Sequence, residues 1–175
     1  SLVGSEMCIR DRSYTLLSCD DGELYLEDTK SEAILLDDNK IKNSDYRSDL
    51  GYGFRAINGD VTAYSHSNEI SEKSLLNSSK NLKLSLSNPK GFYNDEIKKT
   101  NQKFYRDIDP INEKNLKEKI EILNEINNYS RSIDGSVNQV TANFLGERKH
   151  IEILRSGGEL LKDTRPLVRI NVSIM

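Results

Sequence analysis

The stretch GYGFRAINGDVTAY, residues Gly51 to Tyr64, decides how this chain folds. Asn58-Gly59 lies between two runs in which apolar and polar residues alternate. That is the strongest short-range hairpin signal, because Asn and Gly accept the positive φ that a two-residue type I′ turn needs at both positions. With Asn58-Gly59 as the loop, Ala56 faces Val61 and Phe54 faces Ala63, which gives one apolar face and leaves Arg55 and Thr62 on the other.

Upstream, GELYLE (Gly22 to Glu27) alternates Leu24 and Leu26 with polar neighbours and reads as a strand. AILLDDNKIK (Ala33 to Lys42) reads as a second hairpin, tipped by Asp38-Asn39, both of which tolerate the left-handed region. Downstream, Ser71 is placed to cap a helix running to Asn81, with Ile70 positioned to staple onto Leu75. Its Ser and Asn residues are poor helix formers, so packing must hold it. From Leu82 to Asp107, around Pro89-Lys90-Gly91, the composition predicts a long surface connection.

A stronger helix is predicted from Asn112 or Asn115 to Ser130, with Asn115 and Glu118 in capping-box spacing. Leu116, Ile120 and Leu123 form one apolar stripe, and Ile122, Ile126 and Tyr129 an adjoining one. Glu113/Lys117 and Lys114/Glu118 stand at i,i+4 on the outside. The last third is β again. Val140, Ala142 and Phe144 alternate toward Gly146, a strand follows from Lys149 to Arg155, and Ser156-Gly157-Gly158 turns into Leu160 and Leu161. A closing strand starts after Pro166, with Val168, Ile170, Val172 and Ile174 alternating with Arg169, Asn171 and Ser173. The class is α+β, antiparallel hairpins and a C-terminal β-meander packed against two main helices.

Both ends carry an expectation. The alternation runs through to Met175, so the last strand is expected to lead into a further domain. SLVGSEMCIRDR, residues 1–12, has no periodicity, cap or turn chemistry and reads as a sequencing or vector scar. That leaves 13–175 as one domain, incomplete at both ends.

At 175 residues the chain can bury one real core. Its 25 basic and 28 acidic residues give a net charge of −3, which argues against a dedicated nucleic-acid partner. The longest apolar run is the four residues Ala33 to Leu36, so neither a membrane span nor a signal-peptide core is expected. Reduced thiols at Cys8 and Cys19 and a cytoplasmic location follow as expectations, and the sequons at Asn77, Asn128 and Asn171 then carry no meaning.

Candidate chemistry is thin. A zinc site needs three or more converging His, Cys, Asp or Glu ligands. The two histidines, His66 in the loop after the Gly51–Tyr64 hairpin and His150 near the start of a strand, read as solvated or edge residues. No G-x-S-x-G accompanies them. Cys19 has no basic neighbour in sequence and reads as a buried thiol. Gly51-Tyr52-Gly53 opens a strand, not the helix that phosphate binding needs. Lys98, Lys99, Lys103 and Arg106 around Phe104 and Tyr105 could form a small stacking patch. Asp95, Glu96, Asp107 and Asp109 cancel much of its field, so a solvated loop with two anchoring aromatics is the better reading. Asp20-Asp21 and Asp37-Asp38 belong to turns. No catalytic and no metal-ligating residue is assigned.

Five stretches in order resemble the N-terminal domain of the TldD/PmbA metallopeptidases, proteins once described as modulators of DNA gyrase: GELYLE, ILLDDNKIKNSDYRSDLGYGFRAINGDVTAYSHSNEIS, DPINEKNLKEKIEIL, VNQVTANFLGE and LLKDTRPLVRINVSIM. Asp49, Gly51, Gly53, Arg55, Gly59 and Thr62 occupy the family's pattern positions in the second stretch. Asp163, Arg165, Pro166, Leu167, Val168, Arg169, Val172 and Ser173 match the closing pattern, which points to the TldD branch. Gly157-Gly158 stands where the family usually has Asp-Gly, and the acidic residue usual near His66 is missing. The family's zinc motif, H-E-x-x-x-H with a later cysteine, does not occur here. The resemblance implies a parent zinc metallopeptidase that hydrolyses peptides with a metal-activated water, the glutamate of that motif serving as base. It also implies a TldE/PmbA-like partner in a heterodimer and an unfolded peptide substrate. This chain is then an inactive front portion that shapes peptide access and assembly. The competing reading is a stand-alone peptide- or partner-binding module with no enzymatic role.

Overall fold

The computed structural model describes residues 19–86, 98–99, 104–156 and 159–175. Residues 1–12 with Cys8, Pro89-Lys90-Gly91 and Gly157-Gly158 lie outside them. In chain order the elements are β1 (Asp21–Asp37), β2 (Lys40–Asn58), β3 (Val61–Ser67), α1 (Glu72–Ser85), β4 (Lys98–Lys99), α2 (Leu116–Ile133), β5 (Val140–Arg155) and β6 (Glu159–Ile174). The hydrogen-bonded strand order is β3-β2-β1-β5-β6-β4, with only the short β4 parallel to its neighbour. The α+β class predicted from the sequence is the one observed.

The strands are longer than the sequence pattern suggests. GELYLE and the first arm of the Asp38-Asn39 hairpin are one strand, β1, and the expected meander segments merge into the 16-residue strands β5 and β6. Gly146 does not interrupt β5. A Cβ there would sit 3.2 Å from the Phe144 ring, so the glycine makes room for that side chain. At the β1–β2 turn, Asp38 and Asn39 take positive φ values of 48° and 63°.

The chain divides into two compact units, to both of which β1, β2, β5 and β6 contribute. The first draws on the residues up to Asp28, on Asp49–Phe104 and on His150–Asp163. Its core is Leu24, Leu26, Tyr52, Phe54, Ala56, Ala63, Leu75, Leu82, Leu154 and Leu160, with Cys19 and Leu86, and Ile70 packs against it. Ser71 caps α1 by accepting a hydrogen bond from the Ser74 N–H, as expected, but the helix continues to Ser85 past the predicted end at Asn81. Leu82, buried in the core, explains the extra turn. The hairpin pairs Ala56 with Ala63 and Asn58 with Val61, so the loop is Gly59-Asp60 and not Asn58-Gly59. Positive φ falls on Gly59 alone, at 57°, the pattern of a II′ turn and not a I′ turn. Sliding the partner strand by two residues keeps every side chain on its face. Burial therefore does not distinguish the two registers, and Asp20, whose carboxylate accepts the Gly59 N–H at 2.7 Å, holds the loop observed.

The second unit comprises Thr29–Ser48, Tyr105–Lys149 and Thr164–Met175. Its core is Ile34, Leu36, Leu123, Ala142 and Phe144, with Ile120 and Ile126 packed against it. The capping box at Asn115 and Glu118 is complete, and α2 runs three residues past the predicted end at Ser130. Its buried face differs from the predicted stripes. Leu116 and Tyr129 are 45% and 70% exposed, while Lys119, Leu123, Asn127 and Ser130 are buried. The polar members of that face find partners on β1 and its turn, at Ile111 and within α2 itself. Lys119 pairs with Glu32, donates to the Ile111 carbonyl at 2.6 Å and lies 5.4 Å from the centroid of the Phe144 ring. Asn127 donates to Asn39, Arg131 pairs with Asp38, and the Ser130 hydroxyl returns to the Ile126 carbonyl at 2.8 Å. On the exterior, Lys117 pairs with Glu121 at 3.8 Å instead of the predicted Glu113.

Three aspartates of the second unit titrate below the ordinary value of 3.8. Asp37 is lowered by hydrogen bonds from Gln139 and Thr141, and Asp134 by the Ser136 N–H. At Asp109 burial pushes upward, but hydrogen bonds from Asn112 and Ile111 outweigh it. A depressed carboxyl contributes stability above its unfolded pKa and loses it as pH falls through the folded one. The melting temperature is therefore expected to fall as pH drops from about 5 to about 3, and a flat profile across that range would contradict these contacts.

Candidate functional site

The first unit carries most of the pattern residues singled out in the sequence. Asp49, Gly51, Gly53 and Arg55 lie on β2, Gly59 in the loop and Thr62 on β3. Asp49 and Gly51 share a hollow of about 290 Å³ with Tyr25, Glu27, Leu50, Tyr52, Ser67 and Asn68. Gly51 fits a close approach of the two strands, since a Cβ would sit a tight 3.1 Å from the Ser67 carbonyl oxygen and 3.4 Å from Asn68 Oδ1. Nothing in the structure explains Gly53, where a Cβ would meet open space. Arg55 reaches Asp21 at 3.5 Å and Glu23 at 3.6 Å, and its buried Nε has no partner among the described residues. Those distances and the partial exposure of all three groups make this a tether of about 0–1 kcal/mol. Thr62 is exposed opposite Ile57.

Beneath α1, the Tyr52 hydroxyl is shared with Ser74 Oγ at 2.9 Å and Ser78 Oγ at 2.7 Å, and Ser65 donates to Ser78 at 2.9 Å. The serines that weaken α1 by propensity thus satisfy a buried phenol. Cys19 is buried and its thiol is pushed up, chiefly by burial, which fits a packed side chain and not a nucleophile.

Sequence reasoning missed the most deeply buried ionisable group, Glu152 on β5, which has no exposed surface. Its Oε1 accepts from Lys162 at 3.1 Å and lies 3.3 Å from His150 Nε2, while Oε2 has no partner among the described residues. The signal was present. Once β5 is one strand, Val140, Ala142, Phe144, Glu152 and Leu154 share a parity, so the glutamate must point inward. His150, expected near a strand start, sits instead within β5 and is half-buried; His66, expected in a loop, is exposed on β3 opposite Gly53. Among the described residues no group of three His, Cys, Asp or Glu could hold a metal, and the donors present do not fit a zinc ion. Phe104 and Tyr105, expected to anchor their loop, are 82% and 55% exposed. Lys103 lies outside the described residues. Asp163 is half-buried on β6 in this unit.

In the second unit the closing pattern forms the latter part of β6. Arg165 and Arg169 are exposed, Pro166 is half-buried, and Arg169 Nε donates to Asn171 at 2.9 Å. Another hollow, of about 200 Å³, lies between α2 and β6, lined by Lys119, Ile122, Phe144, Val168 and Ile170 among others. Its walls are mostly apolar, with Glu113, Lys114 and Lys119 as the charged side chains among them, and Lys119 is paired with Glu32.

Two family models match in order: PmbA/TldA metallopeptidase domain 1 over residues 22–83, and PmbA/TldA metallopeptidase central domain over residues 109–175. The chain belongs to the TldD/PmbA metallopeptidase family. Its relatives include the metalloprotease TldD homolog of Buchnera aphidicola from Acyrthosiphon pisum, 32% identical over 171 residues, which cover 97% of this chain and 34% of that protein. The corresponding TldD homolog of Haemophilus influenzae is 27% identical, with 89% of this chain and 33% of that protein covered. The chain thus spans about a third of the length of the curated relatives it matches. The fold is shared with a crystal structure from Thermotoga maritima described as a modulator of a DNA gyrase, with a TM-score of 0.64 at 11% identity, covering 97% of this chain and 43% of that one. TldE from Thermococcus kodakarensis gives 0.55 at 12% identity, covering 95% and 42%.

In this TldD/PmbA chain Glu152 and Lys162 lie side by side on β5 and β6, which suits a contact that specifies strand pairing more than chemistry. Lys162→Met leaves the carboxylate with His150 alone. It is expected to cost about 1–3 kcal/mol in urea unfolding, below the value for a fully buried pair because Lys162 is about a third exposed. Glu152→Leu is expected to cost less, and the reverse order would contradict this reading.

Proposed function

We propose that this chain is the front portion of a TldD-like zinc metallopeptidase subunit, and that it shapes peptide access and heterodimer assembly without a catalytic site of its own. The observation that carries the reading is the ordered match to both family domains together with relatives named as metalloprotease TldD homologs that are about three times as long. The proposal puts zinc and the hydrolytic groups in the part of those relatives beyond the match, because the side chains described here do not fit the metal. The residues of this chain supply strands, edges and hollows, and none is given a step in bond cleavage. A TldE/PmbA-like subunit is the proposed partner, an unfolded peptide the proposed substrate and the cytoplasm the proposed location. No helix of the described residues is long and apolar enough to cross a membrane.

Two measurements test this. The purified chain, supplied with zinc and an unstructured peptide, is expected to show no cleavage above the protein-free control, and chelator-sensitive cleavage would overturn the division of labour. Sequencing the source DNA past the codon for Met175 is expected to show the frame continuing into an H-E-x-x-x-H helix. A stop codon there would sink the peptidase reading and favour the binding module.

A further inference from the structure

Asp49, Gly51 and Gly53 alternate along β2 with Tyr52 and Phe54, which are buried in the core of the first unit, so the three share its opposite, outer face. Two successive positions of that face are therefore bare backbone. A Cβ on Gly53 would meet open space, so no neighbour among the described residues demands a glycine there. Glycine inside a strand weakens it, and one use of such a position is to let another group approach the backbone closely. The register sets His66 of β3 opposite Gly53, which walls the strip on one side. Tyr25 and Glu27 of β1 border it at Gly51, where the hollow of about 290 Å³ opens. Tyr25 donates to the Glu27 carboxylate and holds it in place. Asp49 is exposed and enters no ion pair among the described residues, and Asn68 Oδ1 lies 3.4 Å from the Cβ position of Gly51. No lysine, arginine or histidine lines the hollow. Arg55, further along the same face, is held by Asp21 at 3.5 Å and Glu23 at 3.6 Å.

We propose that this strip binds an arginine-bearing peptide segment, with the guanidinium in the hollow between Glu27 and Asp49 and the stem and main chain passing over Gly53. Acidic side chains on a strand face are ordinarily just solvated. Here they border backbone stripped of side chains, and the charge that complements them is positive. The acceptors come from separate places, Glu27 on β1, Asp49 on β2 and Asn68 just past β3. A planar fork of five N–H donors serves acceptors spread in this way better than the compact ammonium of lysine. The flat ion also suits a floor without side chains and the neighbouring Tyr25 ring. A metal ion is the poorer occupant, because among the described residues no group of three His, Cys, Asp or Glu could hold one. Binding is read without cleavage, so the inference stands or falls independently of the peptidase reading.

The test is a titration of the whole isotope-labelled chain with acetylated, amidated Gly-Arg-Gly, followed by amide shifts in nuclear magnetic resonance. Saturable shifts are expected at Tyr25 to Glu27, Asp49 to Gly53 and Ser67 to Asn68. Replacing the arginine of the peptide by citrulline keeps its shape and removes its charge, and is expected to weaken binding by about ten-fold or more. Asp49→Asn removes one carboxylate at an exposed position, so melting is retained while binding weakens by about ten-fold. Gly53→Val puts a strand-favouring side chain into open space, so the melting temperature is held or raised while the strip is filled and binding is lost. Absence of saturable shifts, or shifts scattered away from these residues, would overturn the proposal. So would citrulline binding as tightly as arginine, or a folded Asp49→Asn or Gly53→Val chain binding as tightly as the parent.

Discussion

Everything in this chain depends on the antiparallel pairing of β1 with β5. It is held at one end by the Ser156 N–H donating to the Gly22 carbonyl at 2.9 Å and at the other by the Asp38 N–H donating to the Val140 carbonyl at 3.0 Å. Within each unit the pleat sets the buried side chains of the pair at every second residue, Ile151 beside Glu152 being the exception. Leu24, Leu26 and Leu154 serve the first unit, and Ile34, Leu36, Ala142 and Phe144 the second. A one-residue slip would turn all of them to the opposite face. The register of a single strand pair thus governs two hydrophobic cores.

The polar groups buried against this framework hold elements in place. Lys119 ties α2 to Glu32 and to the Ile111 carbonyl, Asn127 and Arg131 tie it to the Asp38-Asn39 turn, and Glu152 ties β5 to β6 through Lys162. Each carries a desolvation cost that a hydrocarbon side chain would not, so their value lies in specifying which turn of helix or which strand position is adopted.

Much of the fold could be read from the residues, and the failures have physical causes. The α+β class, both hairpins, the Ser71 cap and the Asn115–Glu118 capping box all follow from local chemistry, and all are present. Strand length could not be read, because Gly146 and Pro166 look like breaks in sequence. In the structure one accommodates the Phe144 ring and the other sits at an edge. The loop register was missed because a two-residue slide changes no face, leaving a contact 39 residues away, from Asp20 to Gly59, to hold it. The buried stripe of α2 was missed because hydropathy alone puts Leu116 and Tyr129 inside, whereas Lys119 and Asn127 are drawn in by partners on β1 and its turn. Of the pattern residues in the hairpin, Gly51 and Gly59 have a steric or conformational reason on view and Gly53 has none.

Native-state hydrogen exchange tests the primacy of the β1–β5 pair most directly, since amides of the last-opening elements exchange only through global unfolding. The slowest amides are expected on β1 and β5, near Leu24–Leu26 and Leu154 in one unit and near Ile34–Leu36 and Ala142–Phe144 in the other. Slowest exchange confined to α1, α2 or the β2–β3 hairpin, with β1 and β5 opening earlier, would contradict the account.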